Sequence, residues 1–216
     1  MIRLKNVRKK FYKENNTSHV VDISCLEIAA GEKVALVGES GSGKTTLLNL
    51  VSGLVNADSG EININGQDIC QLSEARRDKF RANNIGYLFQ SFHLLDGYTA
   101  LENVELGMLF ADGAAKREHA KLELSRLGLD NRLHHYPGQL SMGQQARVAL
   151  ARAIANHPQL ILADEPTGAL DTSTAGEVLD LLFEKNAEHN ATLICATHDK
   201  GLAAKFDRII TTTELQ

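Results

Sequence analysis

Cysteine is scarce in this chain, and the three present (Cys25, Cys70 and Cys195) are widely spaced, odd in number and never arranged as C-x-x-C. This argues against a disulfide framework and against a cysteine metal site. Cys195 in "TLICAT" and Cys25 in "VVDISCLEI" sit in strand-like runs, so buried free thiols in a reducing compartment are expected. No stretch approaches the roughly 18 consecutive apolar residues of a membrane helix, and the N-terminus lacks an apolar leader segment. The expectation is a cytosolic chain whose membrane role, if it has one, needs another subunit. Charge imbalance is small: the net charge is −4, so no global field draws nucleic acid or anionic lipid. The one basic cluster is "MIRLKNVRKKFYK". Apolar and other residues alternate in "IRLKNV", which reads as a strand with a solvated face rather than a nucleic-acid patch. Repeats, low-complexity tracts and linkers are missing too.

At 216 residues the chain has room for one domain with a sub-lobe and a full core. Its 43% hydrophobic content is ordinary for a globular protein. Short strand-like runs alternate with helical patterns. The spacing predicts strands near 2–7, 20–28, 33–37, 61–64, 85–89, 159–163, 192–197 and 208–211. Helices are predicted near 44–54, 73–82, 99–111, 114–127, 142–156, 173–189 and 199–205. "KVALV" and "LILA" are continuous apolar runs, as in strands buried on both faces of a parallel sheet. "NADSGEININGQD" carries alternation and Asn-Gly, which suits an antiparallel patch. From about 91 to 158 the pattern is almost purely helical. The expected organisation is a single domain, 1–216, with an α/β core at about 1–90 and 159–216 and an inserted helical lobe at about 91–158.

The stretch "GESGSGKTT", 38–46, matches G-x-x-x-x-G-K-[ST] at Gly38, Gly43, Lys44 and Thr45. It follows the apolar run 33–37 and precedes the helical "TLLNLVSGL", the setting in which this motif binds nucleotide phosphates. Gly38, Gly41 and Gly43 let the backbone wrap phosphates with its N–H groups. Lys44 reaches the β- and γ-phosphates, and the Thr45 hydroxyl takes Mg²⁺. "LILADEP", 160–166, ends an apolar strand with two carboxylates. Successive strand residues point oppositely, so Asp164 and Glu165 have separate tasks, one holding Mg²⁺ and the other orienting or deprotonating a water. Pro166 stops the strand. "ICATHD" delivers His198 to a strand end, where ligands of open α/β sheets bind; a structural role and a γ-phosphate contact both fit it. Gln90 closes "IGYLFQ" and by itself reads as a surface residue. "LSMGQQARVALARA", 140–153, offers a second anion-seeking helix start. Ser141 and Gln144 have the capping-box spacing, and a helix start presents unpaired N–H groups and partial positive charge.

Taken in order, the P-loop, Gln90, "LSMGQQ", "ILADEP", "ALD" and His198 resemble the nucleotide-binding subunit of ABC transporters, over the whole chain. The resemblance implies an α/β P-loop fold with a mostly parallel sheet, an N-terminal antiparallel β patch and the helical lobe. It implies an ATPase that uses ATP and Mg²⁺. Gln90 is then the Q-loop glutamine, linking Mg²⁺ and the attacking water to a membrane partner. Asp164 is the Walker B aspartate, Glu165 the catalytic base and His198 the switch histidine. Phe11, with Tyr12 as its substitute, is implied to stack on adenine. The implied phosphate loop comprises Gly38, Ser40, Gly41, Ser42, Gly43, Lys44, Thr45 and Thr46, and the implied metal set is Thr45, Gln90 and Asp164. Ser141, Gly143 and Gln144 of the signature and Asp171 of the D-loop are implied to face the nucleotide of the opposite subunit in a head-to-tail dimer. Two incomplete cradles would then make one site. The usual signature is L-S-G-G-Q, and Met142 replaces its first glycine here.

A narrower likeness rests on "DEPTGALD", "FQSFHLLDGYTALENVEL" and the end of the chain at residue 216. These are similar to the ATPases of lipoprotein-release, macrolide-export and antimicrobial-peptide-resistance systems and to a cell-division relative. They imply a subunit on the cytoplasmic face of the membrane that drives export, extraction or mechanical pulling through a separate permease, rather than solute import. The alternative is regulation of cell-wall or cell-division machinery through such a partner. An ABC-type ATPase of DNA repair or translation fits less well, and no nucleic-acid partner is expected. Roughly 120 residues lie between Lys44 and Asp164 without a long coiled coil, and there is one cassette. Phe92, Leu94, Leu95 and Tyr98, just after Gln90, fit either the core of the helical lobe or a groove for a permease helix.

Overall fold

The alternation in the basic N-terminal stretch builds a strand longer than its apolar part. β1 (Ile2–Lys13) pairs antiparallel with β2 (Asn16–Ile28) on one side and β4 (Ser59–Ile64) on the other. Ile2, Leu4 and Val7 are buried, while Arg3, Lys5 and Arg8 are exposed and Lys9 and Lys10 half-buried. Arg3 meets Glu27 at 3.1 Å, Arg8 meets Asp22 at 3.0 Å and Lys9 meets Asp58 at 2.8 Å. Buried positions on β1 change from even to odd between Leu4 and Val7. Asn6, at φ 52, sits in the left-handed region at that point, and the β1–β4 register shifts between Lys5 and Arg8. Gly60 of β4 lies against this irregularity; a Cβ there would come within 2.3 Å of the Asn6 carbonyl oxygen.

The same change of face explains a corrected expectation. Cys25 pairs with Lys5, beyond the switch, and is exposed. Cys70 is half-buried, and only Cys195 lies in the core. Strand-like surroundings do not bury a thiol whose parity falls on the solvated face.

The computed structural model describes residues 1–13, 16–111 and 116–215. Two compact units are distinguished, 1–78 with 192–216 and 79–191, the division falling within α2 (Glu74–Asn84). In the first unit the antiparallel sheet has the order β2-β1-β4-β5, with β5 at Gln67–Asp68. Ile64 opposite Gln67 leaves Asn65-Gly66 as a two-residue turn, and both have positive φ, 50° and 90°, as a type I′ hairpin requires. The unit's second sheet is parallel. β3 (Lys33–Val37) lies between β8 (Thr192–Thr197) and β9 (Arg208–Thr211). All six residues of β8 are buried, as its unbroken apolar run requires. α1 (Lys44–Val51) follows β3, and α7 (Lys200–Ala203) follows β8.

The second unit pairs β6 (Ile85–Leu88) in parallel with β7 (Leu160–Asp164) and packs α3 (Ala100–Gly107), α4 (Lys116–Arg126) and α6 (Thr172–His189) around α5 (Met142–Ile154). The alanines of "ARVALARA" let neighbours approach closely. At Gly86 a Cβ would sit 2.2 Å from the Ala153 carbonyl oxygen. α3 opens with a full capping box between Thr99 and Glu102. No helix among the described residues is long and apolar enough to cross a membrane.

One buried amide organises the loop before α3. Asn103 accepts from Leu95 N at 2.8 Å and donates to the carbonyls of Leu95, Tyr98 and Thr99 at 3.0–3.2 Å. Truncation would strand buried backbone groups, so Asn103→Ala is expected to cost about 1–3 kcal/mol of stability in urea denaturation. A loss within a few tenths of a kcal/mol would contradict this anchoring role.

Candidate active site

Parallel strands release the chain at the same edge. Val37 at the end of β3 pairs with Thr197 at the end of β8, so loop 38–43 and His198 emerge side by side. The loop is crowded and polar. A Cβ at Gly38 would lie 2.2 Å from Thr212 Oγ1 and 2.7 Å from Ser42 Oγ. Gly43 caps α1 at φ 97 and, having no side chain, makes no side-chain cap bond to the helix's first N–H groups. Lys44 is buried, and its Nζ donates to the carbonyls of Gly38 at 2.7 Å and Glu39 at 2.8 Å. Ser42 Oγ is buried without a hydrogen-bond partner. An ammonium held inside its own loop, an orphaned hydroxyl and a glycine-capped helix start are donors in search of a polyanion. Ser40 and Thr45 are exposed, Thr46 is half-buried, and His198 is exposed.

The second unit repeats the geometry. Leu88 pairs with Ala163, so Gln90 leaves the end of β6 beside Asp164 and Glu165 at the end of β7. Asp164 is buried, and Glu165 is half-buried. Glu165 also has φ 44, a left-handed backbone that costs a non-glycine residue on the order of 1–3 kcal/mol and is typical of functional sites. Gly168 N donates to the Glu165 carbonyl at 3.0 Å, closing the turn on it. A carboxylate held this way can orient or deprotonate a water. The oxygen donors assigned to metal (the Thr45 hydroxyl, the Asp164 carboxylate and the Gln90 amide) are of the hard kind Mg²⁺ takes. One or two such groups with substrate phosphates usually suffice for it.

Ser141 caps α5 as its spacing predicts. Gln144 N donates to Ser141 Oγ at 3.3 Å, and Ser141 N donates to Gln144 Oε1 at 3.0 Å. Ser141 and Met142 are exposed, and Gly143 is buried. A Cβ on Gly143 would come within 2.5 Å of Thr174 Cγ2, so the glycine also sets the α5–α6 approach. Asp171 caps α6. It accepts from Ser173 N and Thr174 N at 3.1 Å and from Thr174 Oγ1 at 2.7 Å, and these bonds, Thr174's foremost, hold its carboxyl below its ordinary pKa. The turn at Asp171 and the start of α5 therefore share Thr174. Phe11 is exposed on β1, with Lys9 Nζ 5.6 Å from its ring centre. The Tyr12 side chain lies outside the described residues.

Sequence reasoning did not identify Arg152. From α5 it donates to the carbonyls of Phe92 and His93, two residues with positive φ. Tyr87, Phe89 and His93 stack in series at 4.0 and 4.7 Å, so the segment after β6 is braced from both sides. Burial depresses the Arg152 pKa. Of the four large residues after Gln90, Phe92 is buried and Leu94 half-buried, while Leu95 and Tyr98 are 50% and 44% exposed. Part of the cluster is core and part is surface.

A phosphate loop after one parallel strand, a strand-end histidine beside it and a carboxylate pair after another strand define a P-loop ATPase. The family model for ABC transporters matches residues 21–168, and the chain belongs to that family as an ATP-binding, ATP-hydrolysing cassette. It is 50% identical over 187 residues to the uncharacterized ABC transporter ATP-binding protein YbbA of Escherichia coli (strain K12), covering 86% of this chain and 82% of that protein. It is 45% identical over 215 residues to the lipoprotein-releasing system ATP-binding protein LolD 2 of Rhodospirillum rubrum, covering 96% and 91%. Identity is 44% over 214 residues to the macrolide export ATP-binding/permease protein MacB of Rhodopirellula baltica, covering 97% of this chain but 31% of that protein. A dimeric post-hydrolysis structure of the ATP-binding cassette MJ0796 bound to ADP and Pi superposes with TM-score 0.90 at 40% identity, covering 98% and 94%.

Lys44→Ala removes the buried ammonium of the phosphate loop and should weaken ATP binding. Glu165→Gln keeps the shape of the strained turn and should retain ATP binding while losing most turnover. Equilibrium nucleotide binding and phosphate release measured on both variants check the division of labour. Near-parent hydrolysis by Glu165→Gln would refute the assignment of Glu165 as base.

Proposed function

We propose that this cassette is the motor subunit of an export-type ABC transporter, working as a head-to-tail dimer on a separate integral membrane permease. The reading rests most heavily on the phosphate loop, where Lys44, the orphaned Ser42 hydroxyl and the glycine-capped start of α1 form a polyanion cradle that on this reading is completed by a second wall. The signature helix supplies that wall from the partner copy: Ser141 and Gln144 at the start of α5, with Gly143 and Asp171, face the opposite nucleotide. The dimeric ADP- and Pi-bound relative supports this arrangement. Residues 1–216 act as one cassette, with an α/β core at about 1–90 and 159–216 and a helical lobe at about 91–158.

Within each composite site Gly38, Ser40, Gly41, Gly43, Lys44 and Thr46 hold the phosphates, and Phe11 stacks on adenine. Thr45, Asp164 and Gln90 would hold Mg²⁺, which neutralises phosphate charge when bound. Glu165 takes a proton from the attacking water, and His198 contacts the γ-phosphate. Leu95 and Tyr98, exposed beside the braced segment after Gln90, receive an apolar helix of the permease on the cytoplasmic face of the membrane. The relatives named for lipoprotein release and macrolide export support export or extraction over import.

Shared sites make a distinctive prediction. Lys44→Ala and Ser141→Arg homodimers each have two damaged sites, whereas their heterodimer has one site with both lesions and one with neither. Mixing differently tagged subunits should restore one nucleotide-trapping site per verified heterodimer. No trapping there would refute the opposed-site reading.

The partner surface is tested separately by Leu95→Asp and Tyr98→Asp. Both should release the cassette from membranes that contain its permease while leaving ATP binding intact. Full membrane retention by folded variants would refute it.

A further inference from the structure

Three imidazoles converge in the second unit, none of them a residue assigned to nucleotide. His157 lies between the other two, its ring centre 4.8 Å from that of His119 on α4 and 4.9 Å from that of His189 at the end of α6. The Nδ1 atoms of His157 and His189 are 3.2 Å apart. We propose that His157 and His189 form a two-imidazole chelating site for a borderline divalent transition metal of the Zn²⁺, Co²⁺ or Ni²⁺ type.

The spacing is the first argument. Two imidazole nitrogens bound to one tetrahedral Zn²⁺ at about 2.0–2.1 Å lie about 3.3–3.4 Å apart. The observed separation is close to that span, and at 3.2 Å it is also a hydrogen bond at the long end of the usual range, so the two nitrogens already face each other. Imidazole nitrogen is also the donor this group of metals takes readily.

Preorganisation is the second. His157 has φ 49, a strained backbone for a non-glycine residue, and its N donates to the Ile154 carbonyl at 2.9 Å. His189 is the last residue of α6, locked by Asn190 in the left-handed region at φ 48. The His119 ring braces His157, and His119 Nε2 donates to the Ala155 carbonyl at 2.9 Å. Neither ligand ring depends on a free loop for its position.

Charge is the third. Glu123 on α4 is fully buried; its Oε1 meets Arg126 at 3.0 Å, and its Oε2 has no hydrogen-bond partner. His189 Nε2 is likewise buried without a partner. The carboxylates of Glu123 and Glu188 act on His189 from α4 and α6, and Lys185, paired with Glu184 and Glu188, is the cation that opposes them. A metal on the two Nδ1 lone pairs leaves the protons on Nε2, and a buried carboxylate nearby offsets the added charge. Among the described residues no group of three or more His, Cys, Asp or Glu side chains converges on one cation, so water completes the coordination. The bound metal would tie the turn leading into β7 to the end of α6.

Tag-free protein, with millimolar Mg²⁺ present to occupy hard oxygen donors, is titrated with Zn²⁺ by calorimetry. His157→Ala alters an exposed side chain, and it and His189→Ala should each lower Zn²⁺ affinity by at least about tenfold, the scale of losing even an outer-shell partner. Adding Co²⁺ should broaden the NMR imidazole signals that these two substitutions delete. Equal Zn²⁺ affinity in the parent and folded His157→Ala overturns the proposal, as does the absence of Co²⁺ broadening at both histidines.

Discussion

Parallel pairing of apolar strands is the constraint from which the chemistry follows. A parallel strand cannot return through a tight turn, so each hands its chain to a loop at the same edge. Val37 beside Thr197 places the phosphate loop next to His198, and Leu88 beside Ala163 places Gln90 next to Asp164 and Glu165. β6, β7 and β8 are buried throughout, which leaves strand ends as the positions where polar side chains can meet a ligand. Within each unit, strand pairing thus sets polar side chains side by side at one edge.

Those strand ends also hold groups that are strained or left without a partner. Lys44 spends its donors on the carbonyls of its own loop, Ser42 keeps a buried hydroxyl without a partner, and Glu165 adopts a left-handed backbone. Each is costly in isolation and useful toward a phosphate or a water. The surrounding sheets and helices make that cost tolerable, because they bury far more apolar surface than the site exposes.

The helical part is organised by α5. At its start, Ser141 and Gln144 cap each other while Gly143 admits Thr174, which in turn bonds Asp171. One turn on, Arg147 meets Glu177 of α6 at 2.7 Å. Toward its end, Arg152 holds the carbonyls of Phe92 and His93. The signature segment, the D-loop and the segment after Gln90 are therefore all anchored to one helix of the second unit. A displacement of α5 would be felt at each of them.

The sequence by itself determined the order of the helices and of every strand but β5, the Gly-rich loop before α1, the strand-end carboxylates and the capped start of α5. Each of these rests on a local pattern: apolar runs, Gly-rich spacing or an i, i+3 pair. The Ser141–Gln144 box and the Asn65-Gly66 hairpin form from neighbours a few residues apart, so short spacing suffices to read them. What only the tertiary structure decided involves partners distant in the chain or a change of strand face. The exposure of Cys25 follows from the left-handed Asn6 and pairing with Lys5, and no alternation rule anticipates a switch of parity. Arg152 reaches carbonyls about sixty residues away, Asn103 fixes a loop whose apolar residues fit either a core or a groove, and Gly143 is fixed by Thr174 from another helix. Leu95 and Tyr98 are separated from Phe92 by burial alone. Burial is a property of the packed molecule, because the same apolar side chain serves a core or a surface according to what the fold brings against it.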